Sequence, residues 1–342
     1  VIPVFDGHND ALTGEDHADL ASGRDSGHID LPRMREGGMR GGIFAVFTPS
    51  PKDGSTWPKL DGDGSYALPL AEPVPHEEAA AHASAGAGRL ARLERQGALL
   101  IARGIADLDR AMDGASPPVA VLHLEGAEAI DPGLEALDHW YAAGLRSLGP
   151  VWSRANAFAQ GVPFAAPSSP DLGPGLSERG TALLAACAEL GIAVDLSHMN
   201  EAGFWDVARL EAGPLIASHS GAHALCPCSR NLTDVQLDAI GASGGLVGIV
   251  YAPAFLRADF ADDTDTPIAL IVEHARYVAE QIGVEHVALG SDFDGVAVPA
   301  ELGDVAGLPK LVAALAQAGF EEEELEAICW RNWRRVLAAW WR

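Results

Sequence analysis

The chain has 342 residues, 48% of them hydrophobic, and a formal net charge of −25. It has ample apolar surface to bury, and its charge repels phosphate backbones and anionic bilayers, so nucleic acid and membrane are excluded as expected partners. No segment supplies the roughly 20 continuous apolar residues that a membrane span needs, and no basic stretch leads into an apolar one at the N-terminus, so the sequence reads as soluble, mature and cytoplasmic.

In chain order, short apolar runs ending in Gly, Asp, Ser or His predict strands near 2–8, 41–47, 119–125, 145–151, 193–198, 214–219, 245–251 and 286–292. Helical patterns fall at 76–95, 131–142, 176–190, 201–211, 234–241, 267–282, 308–318 and 322–340, with Leu184, Cys187, Ala188 and Gly191 showing the spacing of one buried face. The acidic run Glu321 to Glu324 reads as a first helical turn, where carboxylates meet the positive end of the helix dipole. Eight alternating strands and helices predict an α/β fold, a single (β/α)8 TIM barrel over 1–342, with its site at the C-terminal strand ends. An open doubly wound sheet is the alternative, but it would gather ligands at one switch point and not from five separate strands. Two long Pro/Gly-rich connections, 48–75 and 152–175, read either as loops over the barrel mouth or as plain surface insertions.

Chemically capable side chains end five of these strands. His8 and Asp10 are two residues apart and share a face of an extended strand. Glu125 closes an apolar run where an unpaired carboxylate would be costly to bury, so a cation is expected beside it, and its two oxygens suit a bridge between two ions. His198 and His219 end the fifth and sixth strands and complete a set of nitrogen and oxygen donors compatible with zinc. Asp292 ends the eighth strand and reads as a general base beside metal-activated water, with a ligand role as the alternative.

Other polar residues carry plainer expectations. His123 reads as a hydrogen-bonded core histidine, Asp6 as a carboxylate orienting His8, and Asp294 as a turn residue bonding local backbone. His17, His28, His76, His82, His139, His274 and His286 read as unconnected with chemistry. Cys187, Cys226, Cys228 and Cys329 are too few for a disulfide scaffold and fit a reducing compartment, thiolate metal binding by Cys226 and Cys228 being the lesser alternative.

The motifs DGHND at 6–10, LEG at 124–126, LSH at 196–198, SHS at 218–220, SRNLTD at 229–234 and GSDFDG at 290–295 resemble, in order and over nearly the whole chain, those of the membrane (renal) dipeptidases and their soluble bacterial relatives in the amidohydrolase superfamily. The resemblance implies an amidohydrolase-like barrel with two zinc ions, one held by His8 and Asp10, the other by His198 and His219, with Glu125 bridging. It further implies that Asp292 handles the proton and that Arg230 receives the substrate's terminal carboxylate, a role suited to a forked guanidinium. Asn231 and Asp234 are expected to shape the next helix start, with Thr233 as its N-cap.

One position departs from the family pattern. Trp152 stands where members commonly carry a histidine that polarises the scissile carbonyl, and an indole N–H can donate one hydrogen bond but carries no charge. Three outcomes follow: Arg154 or Asn156 takes over, the metal does more of the polarising, or the substrate differs from a plain dipeptide.

The function expected is metal-dependent hydrolysis of a small dipeptide, a D-residue at its C-terminal position being tolerated on the strength of the resemblance. A lactone, cyclic-amide or phosphoester hydrolase on the same barrel is the rival, as is a metal-binding relative without activity, against which Asp292 argues. The expected cofactors are two divalent ions, and the expected partner is a small-molecule dipeptide; a homodimer is left open.

Overall fold

Every residue from Val119 to Glu125 is buried, on both faces of the strand. That pattern belongs to a parallel strand covered outside by helices and packed inside against other strands, and the whole architecture follows from it. The computed structural model describes residues 2–14, 16–50 and 60–341.

All eight expected strands form: β1 (Val4–Asn9), β2 (Met39–Phe47), β3 (Val119–Glu125), β4 (Leu145–Gly149), β5 (Ala193–Val194), β6 (Ile216–Ser220), β7 (Leu246–Ile249) and β8 (Val287–Leu289). Parallel ladders run from β1 through β5 and again from β6 through β8. Two narrow seams close the ring. At one, Asp195 bridges Ile216, and the Leu196 N–H donates to the Ile216 carbonyl at 2.7 Å. At the other, Asn9 bridges Phe293, the Asp10 N–H reaches the Phe293 carbonyl at 2.8 Å, and the Asp292 N–H reaches the His8 carbonyl at 3.0 Å. The result is a (β/α)8 barrel, and both seams lie at strand ends that carry expected site residues.

The helices start where short polar side chains satisfy their first N–H groups. Ser177 caps Glu178–Leu190, Asn200 caps Glu201–Leu210, and Thr233 forms a capping box with Gln236, as expected. The acidic run opens Glu322–Glu326, with Glu321 and Glu324 in a second box. The helix expected from 131 begins only at Leu137, because the Asp131 carboxylate accepts the Glu135 and Ala136 N–H groups and holds a turn, with Leu134 left-handed at φ 63. Among the described residues three further α-helices form that were not expected, Leu31–Gly37, Ile105–Met112 and the short Pro253–Leu256.

The last helix is broken by a π segment, Ala327–Arg331, before Asn332–Trp340. Past that segment the Asn332 amide donates to the carbonyls of Val284 and Val287, and the buried Trp333 indole donates to the Leu289 carbonyl at 2.9 Å. The Trp333 ring packs on Phe5 at 5.9 Å, and a Cβ at residue 7 would collide with it, so Gly7 is what lets the indole approach β1.

Of the connection 48–75, residues 51–59 lie outside the described residues. The rest covers the barrel mouth: Tyr66–Ala67 pairs antiparallel with Ala165–Ala166 of the second long connection, and the Leu68 N–H donates to the Phe164 carbonyl at 2.8 Å. The reading of these stretches as loops over the mouth is therefore the correct one for their described parts.

Trp333→Ala removes a fully buried aromatic together with its hydrogen bond. It should lower unfolding stability by about 3–5 kcal/mol, measured as a drop in the urea midpoint at unchanged slope.

Candidate active site

Six side chains from the ends of five strands converge. The His8 Nε2 lies 3.7 Å from Glu125 Oε1 and 3.8 Å from Asp10 Oδ2. The His198 Nε2 is 3.1 Å and the His219 Nε2 3.4 Å from the same Glu125 oxygen, and the two nitrogens are 3.1 Å apart. These six side chains make three metal-sized groups, His8 with Asp10 and Glu125, Glu125 with His198 and His219, and His8 with His219 and Asp292, so Glu125 is common to two; a fourth group joins His8 to His123 and Asp195. Among the described residues no such group contains a cysteine; Cys226 and Cys228 are buried free thiols.

The rings are held from behind. The His198 Nδ1 meets the Ser153 hydroxyl at 2.9 Å, and the His219 Nδ1 meets the Ser218 hydroxyl at 2.8 Å, which leaves both Nε2 atoms turned to the centre. Ser218 in turn donates to Asp195 at 2.5 Å, and Asp195 also accepts the backbone N–H groups of Ser218 and Ser197. His198 and Asp292 sit at left-handed φ of 65 and 59, strain that concentrates at functional positions. Gly295 is required for a close approach: a Cβ there would strike the carboxylates of both Asp10 and Asp292.

Electrostatically this cluster asks for cations. Burial pushes Glu125 up to about 8, Arg230 pulling the other way. Burial also raises Asp10 far above the usual carboxylate range, helped by Glu125 and Asp292, and raises Asp292, which His219 partly opposes. Burial first, then neighbouring positive groups, takes His8 and His198 far below the ordinary imidazole range, and burial takes His219 down to about 4. Both ring nitrogens of His8 and the Asp10 Oδ1 are buried with no hydrogen-bond partner among the described residues. Neutral imidazoles, crowded carboxylates and orphaned donor atoms fit bound divalent ions, whose charge would offset the crowding of the carboxylates.

Several expectations need correcting. Asp6 does not orient His8. It accepts from the Ser291 N–H at 2.8 Å, the Ser291 hydroxyl at 2.9 Å and the Asn9 amide, tying β1 to β8, and burial raises it to about 7. Asp294 does not bond local backbone. It pairs with Arg24 at 2.6 Å and accepts the His28 N–H, anchoring the connection after β1. Asn231 holds its own loop, not the helix start, through the Gly221 N–H and the carbonyls of Cys226 and Phe255. His123 is the core histidine expected, bonded to Ser147 at 2.9 Å, although its Nε2 has no hydrogen-bond partner among the described residues and lies 3.8 Å from Asp195.

Arg230 is buried beside the cluster. Its Nη2 donates to the His219 carbonyl at 3.1 Å, its Nε has no partner among the described residues, and its guanidinium lies 5.4 Å from the Phe255 ring. Above the cluster opens a cavity of about 590 Å³, lined by Asp10, Glu125, His198 and Asp292 and by Phe47, Trp152, Phe164 and Phe255. Trp152 stands 5.7 Å from the His198 ring. Of the two substitutes proposed for a histidine at 152, Asn156 spends its amide on the Pro150 carbonyl and the N–H groups of Phe158 and Ala159. Arg154 is fully buried and bonded to Glu128 at 2.6 Å through its Nε, while its Nη2 has no partner among the described residues.

The family model described as Membrane dipeptidase (Peptidase family M19) matches residues 1–340. The chain belongs to the membrane dipeptidase family. It is 43% identical to dipeptidase AC, a metallo peptidase of family M19, over 99% of both chains at a TM-score of 0.93. A metallo peptidase from Rhodobacter sphaeroides, solved with a phosphinate mimic of the dipeptide L-Ala-D-Ala, is 42% identical over 99% of both chains at a TM-score of 0.93. A Klebsiella pneumoniae protein described as an uncharacterized protein in the pqqA 5' region is 48% identical over 246 residues, 72% of this chain and 90% of that one. This family member is therefore a metal-dependent hydrolase of the dipeptidase type. Among its described residues no helix is long and apolar enough to cross a membrane.

Sequence reasoning missed Ser153, Ser218, Asp195 and Gly295. Ser218 and Asp195 sit within or beside the histidine motifs, and Gly295 ends the Asp292 motif, so each had a local signal; Ser153 lies 45 residues from His198 and had none. Phe164 and Phe255 lie in connections, where nothing in the sequence marks them.

For this dipeptidase, Ser218→Ala leaves the His219 Nδ1 and Asp195 without their shared hydroxyl. Metal affinity should fall by about 10- to 100-fold, measured by competition with a chelator of known affinity.

Proposed function

We propose that this protein hydrolyses the amide bond of free dipeptides at a site for two divalent ions. One is held by His8 and Asp10, the other by His198 and His219, with Glu125 shared between them. The observation that carries the reading is the convergence of three imidazole nitrogens on one buried carboxylate oxygen, with Asp10 and Asp292 at its flanks and a buried arginine beside it. Zinc suits this mixture of nitrogen and oxygen donors, and when bound it supplies Lewis acidity and lowers the pKa of coordinated water from 15.7 towards roughly 7.

The protein's own groups then have separable tasks. Asp292, fixed by its backbone bond to the His8 carbonyl, takes a proton from the attacking water and passes it to the leaving amine. Arg230 receives the substrate's C-terminal carboxylate, for which its unpartnered Nε is available. Trp152 borders the substrate as an apolar surface. A D-residue at the C-terminal position is supported by the L-Ala-D-Ala mimic bound by the Rhodobacter sphaeroides relative.

Metal analysis separates the roles. The wild-type protein should hold about two divalent ions per chain, and Asp292→Asn should keep them while turnover falls by about 10² or more. Loss of metal together with activity would make Asp292 a ligand.

The rival lactone or cyclic-amide reading turns on Arg230. Arg230→Met should lower kcat/KM for free dipeptides by roughly 10- to 150-fold, the value of a charge-assisted pair of about 1.5–3 kcal/mol. C-terminally amidated peptides should already be poor substrates and change little. Equal loss on both would show that Arg230 supports the fold, and would return the rival reading to favour.

A further inference from the structure

We propose that Phe47, Trp152 and Phe164 form the subsite for the dipeptide's amino-terminal side chain, and that this subsite selects a bulky apolar group. The proposal rests on the dipeptidase reading above and narrows it to a substrate class.

A cavity of about 590 Å³ is within the range of small-molecule sites and far larger than the smallest dipeptides need. The surplus space is aromatic. Trp152 lies 4.7 Å from Phe47 and 5.6 Å from Phe164, ring centre to ring centre, and borders His198 directly. Of these three side chains only Trp152 carries a polar atom, its single indole N–H, so the wall recognises a side chain by contact area and not by charge.

The wall is also fixed in advance. The Arg154 guanidinium lies 5.4 Å from the Trp152 ring and 5.3 Å from the Phe47 ring. It is immobilised by Glu128 at 2.6 Å, the Thr48 carbonyl at 2.7 Å and the Ser50 hydroxyl at 3.1 Å. A desolvated cation within reach of both rings holds the pair from one side, so binding orders little that is not already ordered. The departure at 152 thereby acquires a use, since an indole there extends the apolar surface to the edge of the reacting cluster.

Position assigns the wall to the amino side. Arg230 lies against Phe255, Phe255 stacks on Phe164 at 6.1 Å, and Phe164 meets Trp152, so the Trp152–Phe47 pair is the end of this aromatic row remote from Arg230. A dipeptide with its carboxylate at Arg230 and its amide over His198 and His219 has its amino-terminal residue at that remote end.

The test is a kcat/KM series on metal-replete protein with peptides X-Ala and Ala-X, X being Gly, Ala, Leu or Phe, for the wild type, Trp152→Phe and Trp152→Ala. In the X-Ala series the wild type should rise by about 10- to 100-fold from Gly to Leu or Phe, mainly through KM. Trp152→Ala should cut the Leu-to-Gly ratio by about tenfold, and Trp152→Phe should keep most of it. A flat X-Ala series, or a rise confined to Ala-X, overturns the proposal while leaving the dipeptidase reading intact. Hydrolysis of none of these peptides overturns that reading and the proposal with it. Should Trp152→Ala fail to fold by circular dichroism, the wild-type series and Trp152→Phe still decide.

Discussion

Burying Glu125 is the constraint around which this molecule is arranged. Its carboxylate lies at the end of a strand that is buried along its whole length, and burial is the largest cause of its rise to about 8, against the pull of Arg230. Three imidazoles face one of its oxygens, and Asp10 and Asp292 crowd the same space. Nothing in an apolar barrel would tolerate such a concentration of polar groups without positive charge to balance it. The serines behind His198 and His219 make sense in the same terms, because they use up the outer ring nitrogens and leave the inner ones for a cation.

The barrel gives up regular pairing where the chemistry is concentrated. Its ladders are continuous from β1 to β5 and from β6 to β8, and both breaks fall beside site residues. At the β8–β1 seam the backbone of Asp292 bonds to the carbonyl of His8, and Asp6 adds side-chain bonds to Ser291. At the β5–β6 seam Asp195 joins Ser197 to Ser218. Side-chain carboxylates thus replace part of the missing ladder, and two strand ends are freed to turn His198 and Asp292 through left-handed backbone.

Much of this was legible in the sequence, for identifiable reasons. The strands were readable because runs such as Val119 to Leu122 are apolar on both faces, and the converging residues because each ends such a run. The caps at Thr233 and Glu321 were readable because capping is local chemistry. What failed was non-local. Asp6 and Asp294 were assigned to neighbours in sequence, yet they bond Ser291 and Arg24 across the β8–β1 seam and its loops. The aromatic side chains around the cavity come from the end of β2, the connection 152–175 and the one after β7, and the pinning of Arg154 by Glu128 joins segments 26 residues apart, so no short motif could announce either.

The lacing of the connections over the mouth has a consequence for what can be cleaved. The Ser229 N–H donates to the Ala165 carbonyl at 3.0 Å, and the Ala165 N–H returns to the Ser229 hydroxyl at 3.1 Å. Arg230 and Phe164, each next in sequence to one of these partners, therefore hang from a single stitched backbone. On the proposed roles, the point that grips the carboxylate and the nearer wall of the amino-terminal subsite keep a constant separation. The pair works as a calliper whose jaws are joined by backbone hydrogen bonds, so its span does not depend on side-chain rotation.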